Sequence, residues 1–270
     1  MFKPLNPPIT DWSGRRVWVV GASSGIGAAL AQALQRAGAR VAVSARRAQA
    51  LQEVIGHPPR APVDAPDPVQ DALILPLDIN DVQAIEQAFN QLTAAWGGVD
   101  VVLWVAGIYQ PMRAQNFDLA QGLRMLDTNL ISVYKGLSVL LPALLSQGSG
   151  HLVLVSSVAG FRGLPHALVY GPTKAALINL AESLYLDLHP QGIGVTVVNP
   201  GYVETPATAI NDYPMPALIS ADEAARRTLQ GLATGAFEVH YPKRFTGMLK
   251  LAGLLPDRLY FALVRRVTGA

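Results

Sequence analysis

A glycine-rich turn constrains the fold of this chain more than any other feature of its sequence. The β-branched run at 16–20, RVWVV, leads directly into GASSGIG at 21–27, and apolar residues then recur at helical spacing from 26 to 37. Glycines in such a turn let a pyrophosphate approach the backbone, and the following helix offers free N–H groups and a favourable dipole. The segment therefore predicts a strand–turn–helix unit that binds a dinucleotide, with a purely steric role for the glycines as the alternative.

The rest of the chain alternates between strand-like and helical patterns, which favours a parallel sheet covered by helices on both faces. We expect an α/β, Rossmann-like doubly wound fold in one catalytic domain, residues 1–242, followed by an amphipathic helical extension, residues 243–270. The proline-rich stretch HPPRAPVDAPDP at 57–68 is expected to be a surface excursion. The predicted strands are 16–20, 40–44, 73–77, 99–105, 152–155, 195–198 and 237–241, and the predicted helices are 26–37, 82–96, 129–145, 168–188 and 221–232.

Composition narrows the classes of function. Half of the 270 residues are hydrophobic and 15% are charged, which is typical of a globular domain with a substantial core. The net charge of +2 gives no reason to expect a nucleic-acid partner. The absence of cysteine excludes disulfides, thiolate metal sites and cysteine nucleophiles, and the five histidines show no metal-ligand spacing, so we expect no metal. The N-terminus does not resemble a signal peptide, and we expect a cytoplasmic protein.

Two arginines end the second predicted strand, at Arg46 and Arg47, where an NAD-specific fold of this type carries an acidic residue. A guanidinium binds a 2′-phosphate bidentately, whereas a carboxylate repels it. The sequence therefore predicts NADP(H) over NAD(H), with Arg46 as the main contact and Ser23 or Arg47 assisting. A solvated basic loop is the alternative. Asp78, after the third strand, has two open interpretations, a cap on the next helix or a residue that faces the adenine ring.

The motif YGPTK places Tyr170 and Lys174 four positions apart at the start of a helical pattern, so both lie on one helix face. An ammonium near a phenol favours the phenolate, which predicts a tyrosine pKa lowered from about 10 toward the working pH. A general acid/base is most effective there. A structural surface pair is the alternative.

Together, these segments resemble the short-chain dehydrogenases/reductases. The resemblance covers about residues 14–240. It is carried by GASSGIG, LDI at 77–79, Ala106 with Gly107, DTNLIS around Asn129, VSSVAG around Ser157, YGPTK, and NPGYVET at 199–205. One departure is Trp104-Val105, which stand where the family usually has two asparagines, so that two side-chain amides are lost beside the cofactor-binding segment.

The resemblance implies a sheet of about seven strands in the order 3-2-1-4-5-6-7, a homodimer or homotetramer, and a set of site residues. Tyr170 matches the general acid/base, Lys174 its partner, Ser157 the residue that orients a carbonyl, and Asn129 a member of a proton relay. The implied cofactor-binding residues are Gly21, Ser23, Ser24, Gly25, Ile26, Gly27, Arg46, Arg47, Asp78, Ile79, Ala106, Gly107, Tyr170, Lys174, Pro200, Gly201, Val203 and Thr205.

The resemblance thus implies an NADP(H)-dependent oxidoreductase that interconverts a carbonyl and an alcohol. A nucleotide-binding sensor or scaffold without turnover is the alternative. Apolar loop residues predict a hydrophobic small-molecule or lipid-like substrate: Tyr109, Val158, Phe161, Leu164, Ile210, Tyr213, Met215 and Leu218. The basic, amphipathic extension at 243–270 has two open interpretations, peripheral contact with a membrane surface or packing on the domain or an oligomer interface, and the second is favoured.

Overall fold

A computed structural model describes residues 3–56 and 72–269 of the chain. The proline-rich stretch predicted to be a surface excursion, residues 57–68, lies outside the described residues. Within them, the alternation of strands and helices that the sequence predicts is present.

Seven strands form one sheet in the order β3-β2-β1-β4-β5-β6-β7, which confirms the predicted order. Every adjacent pair is parallel. The reversal of strand order between β1 and β4 opens a crevice at the carboxyl ends of the strands, where folds of this type bind ligands. The strands are β1 Arg16–Val20, β2 Arg40–Ser44, β3 Leu73–Ile74, β4 Val101–Trp104, β5 Gly150–Val155, β6 Ile193–Pro200 and β7 Glu238–Tyr241.

Nine α-helices are present among the described residues and cover both faces of the sheet. Side chains alternate across β1, so that Trp18 and Val20 join one core cluster while Val17 and Val19 join the other. The helices are α1 Gly25–Arg36, α2 Ala48–Gly56, α3 Val82–Trp96, α4 Leu119–Leu126, α5 Ser132–Gln147, α6 Tyr170–Leu188, α7 Ala221–Ala233, α8 Lys243–Gly253 and α9 Asp257–Thr268. Helices α3, α5 and α6 pack on the first cluster, and α1, α2 and α7 on the second.

The sequence missed one helix, α2, and its predicted helix at 129–145 begins after α4. Helix α4 begins after Asp118, whose carboxylate accepts a hydrogen bond from Gln121 N at 3.0 Å and so caps the helix. Its residues Leu119, Leu123 and Leu126 have helical spacing, but Leu119 and Leu123 are exposed and do not pack in the core. A π-helical segment, Asp127–Ile131, joins α4 to α5.

The helical stretch Leu119–Gln147, which contains α4, the π segment and α5, is the one candidate membrane span among the described residues by length and composition. Its mean hydropathy is 1.4, and 39% of the most apolar window is buried in the protein. One face of this stretch supplies Val133, Leu137 and Leu140 to the core, as expected of a core helix of a globular domain.

The two C-terminal helices are attached to the domain by Arg162. Its Nη1 donates to the carbonyl oxygens of Gly253 at 3.0 Å and Leu255 at 2.7 Å, in the turn between α8 and α9. Its Nη2 pairs with Asp257, and its guanidinium lies 4.0 Å from the ring centroid of Tyr260. The carbonyls, the carboxylate and the aromatic face together use most of the binding capacity of one guanidinium.

Candidate active site

A large cavity of about 1520 Å³ opens at the carboxyl ends of the strands. This volume exceeds what a drug-sized ligand needs, about 300–1,000 Å³, and so has room for a dinucleotide together with a substrate. Every residue predicted to bind the cofactor lines the cavity, and so do three of the four predicted catalytic residues, Ser157, Tyr170 and Lys174. The fourth, Asn129, is fully buried and is not among the lining residues.

The glycine turn holds its shape because side chains are excluded there. Gly21 has a φ of +95°, and a Cβ on it would lie 2.5 Å from the backbone nitrogen of Ala106. A Cβ on Gly27 would collide with the carbonyl oxygen of Gly21. Ser24, the residue before α1, makes no side-chain cap, so its hydroxyl does not occupy the first N–H groups of that helix. The turn therefore fits the phosphates of a dinucleotide.

Arg46 and Arg47 lie at the end of β2 and line the cavity with exposed side chains. Neither guanidinium forms an ion pair or hydrogen bond with another residue of the described ranges. Two unpaired cations at this edge fit an anionic group such as a 2′-phosphate.

Asp78 lines the cavity, but it does not cap the following helix, so that interpretation is wrong. The cap is Asp81, whose Oδ1 accepts from Gln83 N at 2.9 Å and from Ala84 N at 3.3 Å. Asp78 instead accepts a hydrogen bond from Asn80 N at 2.9 Å within the turn. The neighbouring Ile79 also lines the cavity.

Tyr170, Ser157 and Lys174 meet on one wall of the cavity. Tyr170 is the first residue of α6, and Lys174 is one turn further along the same helix, with its Nζ 5.6 Å from the Tyr170 ring centroid. Ser157 follows β5, and its Oγ accepts from Ala159 N at 3.1 Å. The neighbouring Ser156 is buried, and its hydroxyl donates to the Lys174 carbonyl at 2.6 Å.

The predicted lowering of the Tyr170 pKa is wrong for this structure. Burial raises the pKa of Tyr170 to about 12, and a hydrogen bond from Ser157 offsets only part of this rise. The Lys174 Nζ donates to Val155 O at 3.0 Å and makes no hydrogen bond to the phenol oxygen, and burial lowers the pKa of Lys174 to about 8. The sequence shows that the two residues share a helix face, but not that Lys174 is buried and Tyr170 half-buried.

Asn129 lies in the π segment and is committed to the backbone beyond β4. Its Oδ1 accepts from Ile108 N at 2.7 Å, and its Nδ2 donates to Ile108 O at 2.9 Å and to Thr173 Oγ1 at 3.3 Å. Thr173 in turn donates to Tyr170 O at 2.7 Å. Asn129 therefore ties the segment after β4 to the first turn of α6, and its side-chain oxygen already has a partner.

Trp104, in place of an asparagine, packs into α5. A Cβ on Gly136 would collide with the Trp104 ring, so the indole occupies the space that this glycine leaves. The indole Nε1 is buried without a hydrogen-bond partner among the described residues. Ala106 and Gly107 line the cavity, and a Cβ on Gly107 would lie 3.4 Å from Lys174 Nζ. The exchange thus changes packing behind the strand and leaves the two small residues at the cavity.

The segment after β6 runs along the cavity from Pro200 to Thr208. Val203 is buried and forms a parallel bridge with Ile219, which closes the base of the intervening loop. Thr205 stands beside the glycine turn, since a Cβ on Gly25 would lie 2.9 Å from its Cγ2. The predicted positions Pro200, Gly201, Val203 and Thr205 all line the cavity.

The family model described as short chain dehydrogenase matches residues 15–213. An uncharacterized oxidoreductase of Myxococcus xanthus is 35% identical over 259 residues, 96% of this chain and all of that protein. The chain belongs to the short-chain dehydrogenase/reductase family. A crystal structure of a short-chain type dehydrogenase/reductase from Mycobacterium marinum superposes with a TM-score of 0.74 at 28% identity, covering 85% of this chain and 94% of that one. A family structure from Burkholderia phymatum in complex with NAD has a TM-score of 0.79 at 19% identity, covering 90% and 94%, and shows the shared fold.

The substrate end of this short-chain dehydrogenase/reductase differs in part from the prediction. Tyr109, Val158, Leu164, Tyr213 and Met215 line the cavity as predicted. Phe161, Ile210 and Leu218 are not among the lining residues, and Ile210 and Leu218 are exposed.

The sequence missed the contribution of the C-terminal helices to the site. Phe245 and Leu249 of α8 line the cavity, and so do Val267, Thr268 and Gly269 at the end of α9. These residues are separated from the catalytic motifs by dozens of positions, and their apolar spacing is the same as that of a helix packed on any surface. No local signal in the sequence distinguishes a cavity wall from an ordinary packing face.

Proposed function

We propose that this protein is an NADP(H)-dependent reductase/dehydrogenase that interconverts a carbonyl and an alcohol on a hydrophobic small molecule. Its family uses NAD(P) cofactors. The observation that carries the proposal is the meeting of Tyr170, Ser157 and Lys174 on the wall of a cavity whose other end is the glycine turn. A sensor or scaffold without turnover does not need these three side chains at the junction.

Each residue of the wall has a definite task. When bound along the cavity, NADPH would supply the hydride that reduces the carbonyl carbon of the substrate. The Ser157 and Tyr170 hydroxyls donate hydrogen bonds to the carbonyl oxygen, where negative charge develops. Tyr170 then gives up its proton to that oxygen. Lys174, buried next to Tyr170, holds a positive charge that stabilises the resulting phenolate, and Asn129 fixes the backbone against which both side chains pack.

The preference for NADP(H) is supported by Arg46 and Arg47 at the end of β2, whose guanidiniums have no partner among the described residues, and by the absence of an acidic residue from Ala45 to Arg47. A 2′-phosphate placed between Ser23 and Arg46 would find a hydroxyl and a bidentate cation. The same residues give a 2′-hydroxyl no carboxylate partner.

Homodimer formation is the assembly that we propose, through the faces of α4 to α6 that the chain leaves exposed. Leu119 and Leu123 on α4, Leu145 on α5 and Leu186 on α6 are 47–73% exposed. Paired long helices bury such side chains in a second copy. Light scattering at micromolar concentration tests this, and a monomer would contradict it.

Contact with an anionic membrane surface is a second candidate role for the C-terminal segment. Residues 243–270 carry six basic residues and one acidic residue, so the segment is +5 whereas the rest of the chain is −3. Lipid-surface helices combine such charge with exposed apolar side chains. We place the protein in the cytoplasm with this segment as its only membrane contact. The exposed apolar residues are Met248, Leu251, Leu254, Leu259, Phe261, Leu263 and Val267.

Co-sedimentation with vesicles tests that contact. We expect the protein to sediment with vesicles of phosphatidylcholine and phosphatidylserine and to be released when the apolar residues Met248, Leu251 and Leu254 are replaced by serine. A wild-type protein that stays in the supernatant would contradict the membrane role, and equal sedimentation of both proteins would show that these apolar residues do not make the contact.

The reaction itself is tested by the consumption of NADPH, followed by absorbance, with ketones and aldehydes graded from short and polar to long and apolar. We expect turnover that rises with chain length and that depends on Tyr170. Absence of turnover across the series, in a protein that still binds NADPH, would overturn the reductase and favour a nucleotide sensor.

A further inference from the structure

Two tyrosine hydroxyls meet at the substrate end of the cavity, beside the proposed general acid/base. The hydroxyl oxygens of Tyr109 and Tyr213 are 2.8 Å apart, and both residues line the cavity. The ring of Tyr109 packs edge-on against that of Tyr170, with 4.8 Å between centroids. The Tyr213 hydroxyl also shares a hydrogen bond with the hydroxyl of Tyr202. Three hydroxyls joined by two hydrogen bonds use two of their three O–H hydrogens, so within the described residues one hydrogen is left to donate.

The backbone holds Tyr109 in place from both sides. Its neighbour Ile108 is fixed by the two hydrogen bonds to Asn129 described above. On the other side, Met112 N donates to His166 O at 2.9 Å, and Leu168 N donates to Met112 O at 3.3 Å. The Tyr109 hydroxyl is therefore presented by a segment that is tied to the π segment and to the loop before α6.

Tyr213 comes from a different segment, the loop closed at its base by the Val203–Ile219 bridge. Its ring lies 5.4 Å from the ring of His166 and edge-on to Tyr202 at 6.3 Å. His166 has a φ of +62°, a backbone conformation that costs free energy in a residue other than glycine. Three separate segments thus converge on one hydroxyl pair.

The charge around the pair selects the kind of group that it can bind. Burial is the main reason why the pKa values of Tyr109 and Tyr213 are raised, and the carboxylate of Asp212 raises both further. Arg124 and Lys174 line the same cavity, but neither is among the groups that shift the pKa of Tyr109 or Tyr213, whereas Asp212 is. The Asp212 carboxylate would repel a negative charge at the pair, so a neutral oxygen fits better than a carboxylate.

We propose that the Tyr109–Tyr213 pair is a second polar subsite that binds a neutral oxygen of the substrate, such as a ketone, ester or hydroxyl oxygen, while Tyr170 acts on the reacting carbonyl. This inference rests on the proposed function for its choice of reacting group. It makes the substrate a largely apolar molecule with two oxygen functions rather than a simple ketone.

Equilibrium binding tests the subsite without turnover, because ketones are not reduced in the presence of NADP⁺. Calorimetry compares nonan-2-one with nonane-2,4-, 2,5- and 2,6-dione in the NADP⁺-saturated protein. We expect at least one dione to bind about tenfold more tightly than the monoketone, as one added hydrogen bond in a buried site allows. In Tyr109→Phe this ratio of dissociation constants is expected to fall to about 1, and in Tyr213→Phe to fall partway. Tyr134→Phe, which alters an exposed tyrosine of α5, serves as the control and is expected to keep the wild-type ratio.

Equal affinity for all four ketones in the wild-type protein would overturn the subsite, and so would a high ratio that survives Tyr109→Phe. A reductase that turns over all four ketones but shows no dione preference keeps the proposed function and loses the subsite. A protein that prefers the dione in binding, yet reduces none of the ketones with NADPH, keeps the subsite and loses the proposed function.

Discussion

The two halves of the cavity are formed by different kinds of atoms, backbone atoms in the cofactor half and aromatic side chains in the substrate half. The cofactor half is formed by strand ends and glycines, and its shape depends on backbone atoms such as the Gly21 carbonyl and the Ala106 nitrogen. The substrate half is formed by aromatic side chains on loops, among them Tyr109, Tyr202 and Tyr213. The cofactor half is formed by short motifs of neighbouring residues, whereas the substrate half is formed by side chains from segments far apart in the sequence.

Tyr170 stands where the two halves meet, and its removal should have the largest effect. We expect Tyr170→Phe to lower kcat by about 10²- to 10⁴-fold, the usual contribution of a general acid/base. NADPH binding should stay within about twofold of wild type, because the phenyl ring keeps the packing of the wall. Steady-state kinetics and NADPH fluorescence titration measure the two quantities. Full activity in the variant would show that Tyr170 is not the general acid/base.

His151 lies at the start of β5 and does not line the cavity, so it tests the stability of the fold independently of both halves. Burial lowers the pKa of His151 to about 4, against an ordinary value of 6.5, and its Nε2 lies 2.9 Å from Thr196 Oγ1. The His151 imidazole is therefore protonated below pH 6.5 in the unfolded chain but only below about pH 4 in the folded protein. The stability due to the neutral imidazole is complete above pH 6.5 and is lost progressively as the pH falls to 4, by about 3 kcal/mol in the free energy of unfolding.

Urea unfolding at several pH values between 7.5 and 4 measures this loss. In His151→Gln, whose amide keeps a partner for Thr196, the fall in stability between pH 6.5 and 4 should be smaller than in wild type by that amount. Parallel pH profiles for the two proteins would show that His151 is protonated alike in the folded and unfolded chains. NADPH affinity at pH 7.5 should be the same in both.

Arg46 tests the cofactor half alone. Arg46→Ala should lower the preference for NADPH over NADH, measured as the ratio of kcat/KM values, by about tenfold, since a charge-assisted bidentate contact is lost. The matched control Arg36→Ala removes an exposed arginine at the end of α1 and should leave the ratio unchanged. An unchanged ratio in the Arg46 variant would show that Arg46 does not contact the 2′-phosphate and is only a solvated loop residue.

Arg162 tests the substrate half and should give the smallest effect. Arg162→Gln keeps one amide donor but loses the pairing with Asp257 and the contact with the Tyr260 ring. We expect limited proteolysis near the turn at 254–256 to become several-fold faster and KM for a long-chain ketone to rise by a similar factor, with KM for NADPH unchanged. Equal cleavage rates would show that other contacts hold the C-terminal helices.

The difference between the two halves also explains which features could be predicted from the sequence. The glycine turn and the Tyr170–Lys174 pair were predictable because each depends on a pattern of a few neighbouring residues, whereas the strand order and the position of Ser157 followed from the resemblance to the family. Helix α3 was predicted with its bounds, Val82–Trp96, since Asp81 caps its start and Gly97 ends it in a left-handed conformation. The cap by Asp81 rather than Asp78 was not, because both acids stand close to the start of that helix.

Other features needed the three-dimensional structure for a physical reason. The direction of the Tyr170 pKa shift depends on burial, which no residue spacing encodes. The packing of Trp104 against Gly136 joins residues 32 positions apart, and neither is unusual in its own element. The role of Val267 in the cavity wall is likewise invisible in a helix whose apolar residues have the ordinary spacing.

The attachment of α8 and α9 through Arg162 has a thermodynamic consequence. Arg162 lies on the loop that begins at Ser157, so the release of the C-terminal helices and the ordering of that loop are linked equilibria. This linkage is reciprocal. If a bound substrate favours the docked helices over the released helices by some factor, then release of the helices lowers the affinity for substrate by the same factor. A surface that captures α8 and α9, whether lipid or a second copy of the chain, would therefore act as an effector of the enzyme by moving one wall of the cavity, without contacting Ser157, Tyr170 or Lys174.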